Sequence, residues 1–68
     1  MSWDIIEGKW KQFKGKAREE WGELTDDELE QAQGDRQQLE GLLQEKYGKT
    51  KAEAKEAVDS FAARVHNM

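Results

Sequence analysis

The sequence lacks cysteine and proline, and it holds a single histidine. Without cysteine there is neither a disulfide framework nor a thiolate metal site, and one histidine cannot assemble a usual imidazole site. We therefore expect no metal ion and no cofactor. That histidine, His66, stands two residues from the end of the sequence. We expect it to be a frayed surface residue.

Long apolar runs are also absent, since no run exceeds three residues. A membrane-spanning helix needs about 20 apolar residues, and a signal peptide needs an apolar segment near the N-terminus. We therefore expect no membrane span and a cytoplasmic location. The chain has 68 residues, enough for one domain (1–68) with a small core.

Charged residues make up 38% of the chain, the mean hydropathy is -1.12 and the formal net charge is -4. Such a composition approaches that of disordered proteins. Three tryptophans, two phenylalanines, one tyrosine and the absence of proline favour a folded domain instead. The apolar residues recur with helical periodicity, so we predict a helical domain.

The first predicted helix runs from Ser2 to Trp21. Its apolar residues are separated by three or four positions, as on one face of a helix: Trp3, Ile6, Trp10, Phe13, Ala17 and Trp21. Glycines 8, 15 and 22 fall almost opposite this face, toward solvent. Gly22 suits a left-handed C-terminal cap, and Gly8 marks a frayed or bent first turn. Gly15 lowers local helix stability or leaves backbone open to a partner, and we favour the first interpretation.

Three further helices follow from their capping signals. Thr25 and Glu28 form a capping-box pattern that predicts a short helix over about 25–33, closed by Gly34. Asp35 is the expected cap of the next helix, which ends at Gly48. A second capping box begins the last helix at Thr50. The apolar residues of the last two helices are expected in the core: Leu39, Leu42, Leu43, Tyr47, Ala54, Ala57, Val58, Phe61 and Val65.

The segments GKWKQFKGKAREEWG (8–22) and GDRQQLEGLLQEKYG (34–48) share their glycine spacing. Each continues through an aromatic residue and a glycine to a threonine three residues before a glutamate. The chain therefore reads as a pseudo-repeat of two helical hairpins, 8–33 and 34–66. Neither hairpin can bury its own apolar face, so the two must pack together. We predict an all-α fold of four helices that form two roughly orthogonal α-hairpins around one small core.

The run GKWKQFKGKAREEWGELTDDEL and the second glycine-bounded unit resemble the CsbD-like family of small bacterial stress-response proteins. The resemblance covers essentially the whole chain, and the spacing of residues 10–22 is its most specific part. It implies a compact cytoplasmic four-helix protein, abundant under general stress, with no catalytic residue to transfer. A protective role toward other macromolecules agrees with the high charge and negative net charge.

Catalytic patterns are absent from the sequence: there is neither a serine, histidine and acid arrangement nor a phosphate-binding glycine loop. We therefore expect no enzymatic activity. Asp26 and Asp27 could be imagined as an acid and base pair, but their position predicts a helix N-terminus that complements its dipole.

Charge is unevenly distributed along the chain. Residues 1–18 carry a balance of +3 and residues 19–35 a balance of -8, which predicts a strong charge dipole. Lys11, Lys14 and Arg18 line one flank of the first helix beside Trp10, and this is our candidate partner-binding surface for nucleic acid or an anionic partner. The alternative is that these bases solvate the polar face and pair with acids of the neighbouring hairpin.

The adjacent acids would repel a phosphate backbone, so we expect no specific nucleic-acid binding. We expect a monomer, or weak self-association in which the basic end of one molecule meets the acidic end of another. Trp3, with Ile5 and Ile6, either covers the end of the core or supplies an apolar patch for a partner.

Overall fold

A computed structural model describes residues 3–66, without the side chain of His66. Ser2 and the prediction for the His66 side chain therefore lie outside the described residues. Residues 3–66 form five α-helices: α1 Trp3–Gly8, α2 Trp10–Glu20, α3 Asp26–Ala32, α4 Arg36–Tyr47 and α5 Lys51–His66. The predicted all-α fold is confirmed. Helices α2 and α3 pack together, and α4 and α5 form the most extensive helix contact. The roughly orthogonal crossing of the two hairpins stays a prediction.

The first predicted helix is broken in two at Lys9, which makes five helices in the described residues where the sequence predicts four. The backbone of Lys9 has φ -115° and ψ 33°, outside the α-helical region. The bend expected at Gly8 therefore lies at the next residue. Helix α1 still belongs to the core, because Ile6 is fully buried and Trp3 is half-buried against the core cluster.

Both predicted capping boxes are present. The hydroxyl oxygen of Thr25 accepts a hydrogen bond from the Glu28 N–H at 3.1 Å, and the Glu28 carboxylate accepts one from the Thr25 N–H at 2.9 Å. Thr50 and Glu53 repeat the arrangement at 3.1 and 2.9 Å. These bonds satisfy N–H groups that have no partner within the helix. Helices α3 and α5 therefore begin where the sequence predicts.

The turn between α3 and α4 is tight and left-handed. Gln33 has φ 52° and Gly34 has φ 79°. A Cβ atom on Gly34 would lie 3.0 Å from the Cα atom of Glu7 in α1, so the turn requires glycine for both conformation and space. Asp35 then caps α4, as predicted, by accepting a hydrogen bond from the Gln38 N–H at 3.1 Å.

Of the two glycines predicted to cap the C-termini of helices, Gly48 does so and Gly22 does not. Gly48 adopts φ 66° and caps α4, as predicted. The prediction for Gly22 is wrong, because α2 ends at Glu20 and Trp21, with φ -123°, is its C-cap residue. The Trp21 N–H donates to the Ala17 carbonyl at 2.8 Å, and the indole ring of Trp21 stays buried.

The core is one cluster of buried apolar side chains: Ile6, Trp10, Ala17, Trp21, Leu24, Leu29, Leu39, Leu43, Ala54, Val58, Phe61, Ala62 and Val65. The placement of Tyr47 in the core is wrong, since this residue is 38% exposed. Its hydroxyl oxygen instead accepts a hydrogen bond from the Glu23 N–H at 3.0 Å and ties the end of α4 to the α2–α3 turn. Among the described residues no buried side chain is polar or charged.

Candidate interaction surface

The aromatic member of the predicted binding surface, Trp10, lies in the core. It is 8% exposed, and its Nε1–H donates a hydrogen bond to the Leu29 carbonyl of α3 at 2.8 Å. A buried indole commonly finds such a partner for its N–H. The structure therefore separates Trp10 from the three basic side chains, and it uses the indole to join α2 to α3.

Two of the three basic residues form ion pairs with α3. Lys14 Nζ lies 2.6 Å from Glu30 Oε2, and Arg18 Nη1 lies 3.3 Å from Asp26 Oδ1. From Lys14 to Arg18 the chain advances four residues along α2, while from Glu30 to Asp26 it goes back four residues along α3. This order is expected for antiparallel helices. Lys11 is exposed and forms no ion pair with any residue in 3–66. The two bases thus pair with acids of their own hairpin, whereas the alternative interpretation placed the acids in the neighbouring hairpin.

Acids of residues 19–35 also form ion pairs with bases of the second hairpin. Lys46 Nζ lies 3.0 Å from Glu28 Oε2, and Arg64 Nη1 lies 2.6 Å from Glu20 Oε1. The acids of residues 19–35 therefore face bases from α2, α4 and α5. These pairs bring together in space charges that are separated along the sequence. The predicted charge dipole of the molecule stays a prediction.

Five of these groups have displaced pKa values: Lys14, Lys46 and Arg64 upward, and Glu20 and Glu28 downward. The hydrogen bond with Glu30 raises the pKa of Lys14, and the hydrogen bond with Glu28 raises the pKa of Lys46. The hydrogen bond from Arg64 lowers the pKa of Glu20. Each shift favours the charged form of an exposed or half-buried group, which is the behaviour of a surface ion pair.

Arg36 connects α4 to α5 and α1, a role that the sequence analysis missed. Its Nε donates to Glu40 at 2.8 Å, and its Nη2 donates to Asp59 and, at 3.1 Å, to the Lys55 carbonyl. The guanidinium carbon also lies 5.9 Å from the ring centroid of Trp3, within cation–π range. Burial alone would lower the pKa of Arg36, but the hydrogen bonds with Glu40 and Asp59 raise it.

A signal for Arg36 was present in the repeat. With Gly8 aligned to Gly34, Arg36 occupies the position of Trp10, which lies on the apolar face of its own helix. A charged residue at a position that is buried in the related unit indicates a partnered side chain. Because the partners lie on α5, their identity depends on the tertiary structure.

Recesses of modest size lie on the surface of the described residues. One has a volume of about 230 Å³ and is lined by Lys16, Glu19, Glu20, Phe61, Arg64 and Val65. Another has a volume of about 280 Å³ and is lined by Lys49, Glu53, Glu56, Ala57 and Ser60.

Among the side chains that the structure describes, no group of histidine, aspartate and glutamate is arranged to hold a metal ion. In this part of the chain every helix is too short or too polar to cross a bilayer.

Most of the chain matches the profile of one known protein family. The profile of the CsbD-like family matches residues 4–56, which include α1 except Trp3, all of α2 to α4 and the start of α5. The chain belongs to the CsbD-like family. The resemblance seen in the sequence is therefore confirmed.

Curated relatives agree over most of their length. A UPF0337 protein of Bordetella pertussis is 55% identical over 64 residues, which are 94% of this chain and 97% of that protein. A UPF0337 protein of Pseudomonas aeruginosa is 49% identical over 65 residues, covering 96% and 100%. The UPF0337 protein YjbJ of Escherichia coli is 50% identical over 64 residues, covering 94% and 93%. No solved structure matches the chain significantly.

The CsbD-like family is associated with the general stress response of bacteria, and the names of these relatives state no molecular activity. In the structure, the family's most specific segment builds the frame of the first hairpin. Trp10, Ala17 and Trp21 are buried, Phe13 is half-buried, and Gly15 is exposed on the opposite side. Binding through Lys11, Lys14 and Arg18 stays a prediction, and a partner would compete with Glu30 and Asp26 for two of the three bases.

Proposed function

We propose that this CsbD-like protein is a non-enzymatic, cytoplasmic stress-response protein that protects other macromolecules through its charged surface. The observation that carries the proposal is the division between interior and surface. Every buried side chain among the described residues is apolar, while the ionisable groups lie on the outside. An enzyme needs reactive groups held in a partly desolvated site, and the buried core offers none.

The surface has the properties expected of a protein that keeps others dispersed. Charged residues are 38% of the chain, and the net charge is -4. Several acids form no ion pair with a described residue and remain available to solvent, among them Glu23, Asp27 and Glu45. Such acids favour solubility and repel like-charged molecules.

The test measures aggregation of a heat-labile enzyme during heating and drying, by light scattering and by recovered activity. We expect the purified protein to reduce scattering in proportion to its concentration. A protein of equal size with a net charge near zero is the first control. Protection no greater than that of this control would refute the protective function.

A charge variant tests whether the surface acids are responsible. Glu23→Gln, Asp27→Asn and Glu45→Gln together change the net charge from -4 to -1 without removing an observed ion pair. The matched control is Glu23→Asp, Asp27→Glu and Glu45→Asp, which keeps the charge. We expect protection to fall only in the first variant, with both variants folded by circular dichroism. Equal protection by the two variants would show that net surface charge is not the agent.

A further inference from the structure

Helix α1 is held by a groove that other parts of the chain provide. The Trp3 Nε1–H donates to the Gly34 carbonyl at 2.6 Å, and the Trp3 ring lies 6.4 Å from the Phe61 ring. Arg36 lies over the same ring. We call this the α1 groove, formed by Gly34, Arg36 and Phe61 on the α3–α4 turn, α4 and α5. The Trp3 ring also lies 6.4 Å from the ring of Trp10 in α2, the helix to which α1 is connected.

The connection between α1 and α2 is a single non-helical residue. On its two sides the hydrogen bonds of a continuous helix already exist, since the Lys9 N–H donates to the Ile5 carbonyl at 3.1 Å and the Phe13 N–H donates to the Lys9 carbonyl at 3.2 Å. The apolar spacing also continues through this point without interruption. A change at Lys9 into the α-helical region would therefore join α1 and α2 into one helix.

The break at Lys9 also lacks the stabilisation that the later helix starts receive. Lys9 makes no side-chain cap hydrogen bond, whereas Thr25, Asp35 and Thr50 cap the three helices that follow. In the repeat, Lys9 occupies the position of Asp35, so the capping residue of the second unit is replaced by one that cannot accept a hydrogen bond. In the bent form, the conformation in which Lys9 interrupts the helix, α2 therefore begins without the side-chain cap that α3, α4 and α5 each have.

A straight helix would carry α1 away from its own groove. Trp3 would lie about 10 Å beyond Trp10 along the axis, at 1.5 Å per residue. Trp10 is bound to Leu29, and α3 ends at Ala32, only about 5 Å further on. Trp3 and Ile6 would then project past the end of α3 with their apolar surfaces exposed.

From this geometry we infer that two copies of the chain exchange α1, each straight helix placing its Trp3 and Ile6 in the α1 groove of the other copy. The occupant of the groove is chemically identical in both forms, so the exchanged dimer recovers the contacts that the bent monomer makes. Such an exchange between identical chains is a route to dimers that needs no new interface. High protein concentration favours it by mass action.

The first experiment compares Lys9→Ala with Lys9→Gly. Each protein is unfolded and refolded over a series of concentrations, and its dimer dissociation constant is measured by sedimentation and light scattering. Glycine disfavours a helix interior relative to alanine by roughly 5-fold in each chain, so we expect Lys9→Ala to dimerise about 30-fold more tightly than Lys9→Gly. Lys9 is exposed, so both variants should fold.

Gly15→Ala is the matched control. Position 15 is exposed, has nothing within 4 Å of a Cβ atom, and is helical in both the bent and the straight form. We expect this substitution to raise the melting temperature and to leave the dimer constant unchanged. An equal effect of Gly15→Ala and Lys9→Ala on dimerisation would overturn the inference, as would monomers in every variant up to millimolar concentration.

A second measurement identifies the exchange itself. A dimer refolded from a mixture of isotope-labelled and unlabelled Lys9→Ala chains is examined for nuclear Overhauser effects between Trp3 and Phe61. We expect these effects between differently labelled chains. Effects confined to one chain would show that the dimer forms through another surface, and the inference would be wrong.

Discussion

At the scale of single residues, the glycines of the two repeats serve different purposes. Gly15 and Gly41 are exposed within α2 and α4, and nothing lies within 4 Å of a Cβ atom placed on either. Gly34 has positive φ and a neighbouring backbone at 3.0 Å. The first two therefore weaken their helices without a packing reason, while the third is required by the turn.

Replacing Gly15 and Gly41 by alanine should stabilise the fold. Each substitution should add about 1 kcal/mol to the free energy of unfolding, which raises the melting temperature by about 4–8 °C in a domain of this size. Thermal denaturation followed by circular dichroism measures the change. Gly34→Ala is the contrasting variant and should lower the melting temperature. A lower melting temperature for Gly15→Ala or Gly41→Ala would contradict the assignment and point to a special backbone geometry there.

At the scale of helices, local capping determines where most elements begin. The capping boxes at Thr25 and Thr50 and the cap at Asp35 involve residues only three positions apart. Such short-range contacts can be predicted from sequence because they need no information about distant residues. The start of α2 has no cap of this kind, and its position at Lys9 was not predicted.

Removal of a cap should have a measurable cost. Thr25→Ala and Thr50→Ala should each lower the free energy of unfolding by about 1 kcal/mol, since the N–H at N3 loses its acceptor. Thr→Ser at either position should retain most of the stability, because serine keeps the hydroxyl oxygen. Lys9→Ala is the control at an uncapped start and, at a protein concentration at which it is monomeric, should change stability by less than about 0.5 kcal/mol. Urea denaturation distinguishes these outcomes, and equal losses for alanine and serine would show that the hydroxyl is not the stabilising group.

At the scale of the whole molecule, ion pairs connect the two hairpins around the apolar core. The pKa of Glu28 is lowered, first by the hydrogen bond from the Thr25 N–H and then by the one from Lys46, and the Thr50 N–H similarly lowers the pKa of Glu53. The Arg64 hydrogen bond lowers the pKa of Glu20. The raised pKa of Lys46 reflects its hydrogen bond with Glu28. The folded state thus favours the ionised form of these glutamates at acid pH and of Lys46 at alkaline pH.

These directions determine how stability should depend on pH. A lowered glutamate pKa contributes stability that is present above the unfolded-state value, about 4.3, and is lost as pH falls through the folded value. A raised lysine pKa contributes stability that is present below about 10.4 and is lost as pH rises through the folded value. We therefore expect the melting temperature to form a plateau between about pH 5 and 10 and to fall on either side.

Combining Glu28→Gln with Glu53→Gln should flatten the acid side of this profile, because two groups with lowered pKa values are removed. Glu56→Gln is the control, since Glu56 forms no ion pair with a described residue. A melting curve measured at each pH gives the comparison. An unchanged acid slope in the double variant, or an equal change in the control, would show that the capping carboxylates do not govern the acid transition.

Much of the architecture could be predicted because it depends on contacts close in sequence. The helical periods, the capping boxes, the glycine end of α4 and the hairpin repeat all follow from residues within one or two turns of each other. The family could also be identified from a short segment, residues 10–22, and the family profile matches residues 4–56. For the candidate surface, the sequence identified three basic residues that do lie on α2.

The remaining features depend on which surfaces meet when the helices dock. The indole N–H of Trp10 donates to the Leu29 carbonyl, Tyr47 lies on the surface against Glu23, and the bend at Lys9 turns α1 onto the core. The acids of α3 neutralise bases that are distant in the sequence. In each case burial of apolar area competes with backbone preference, and the balance is set by residues far apart in the chain. Local sequence thus specifies the helices and the family, whereas packing specifies the helix breaks, the helix partners and the charge pattern of the surface.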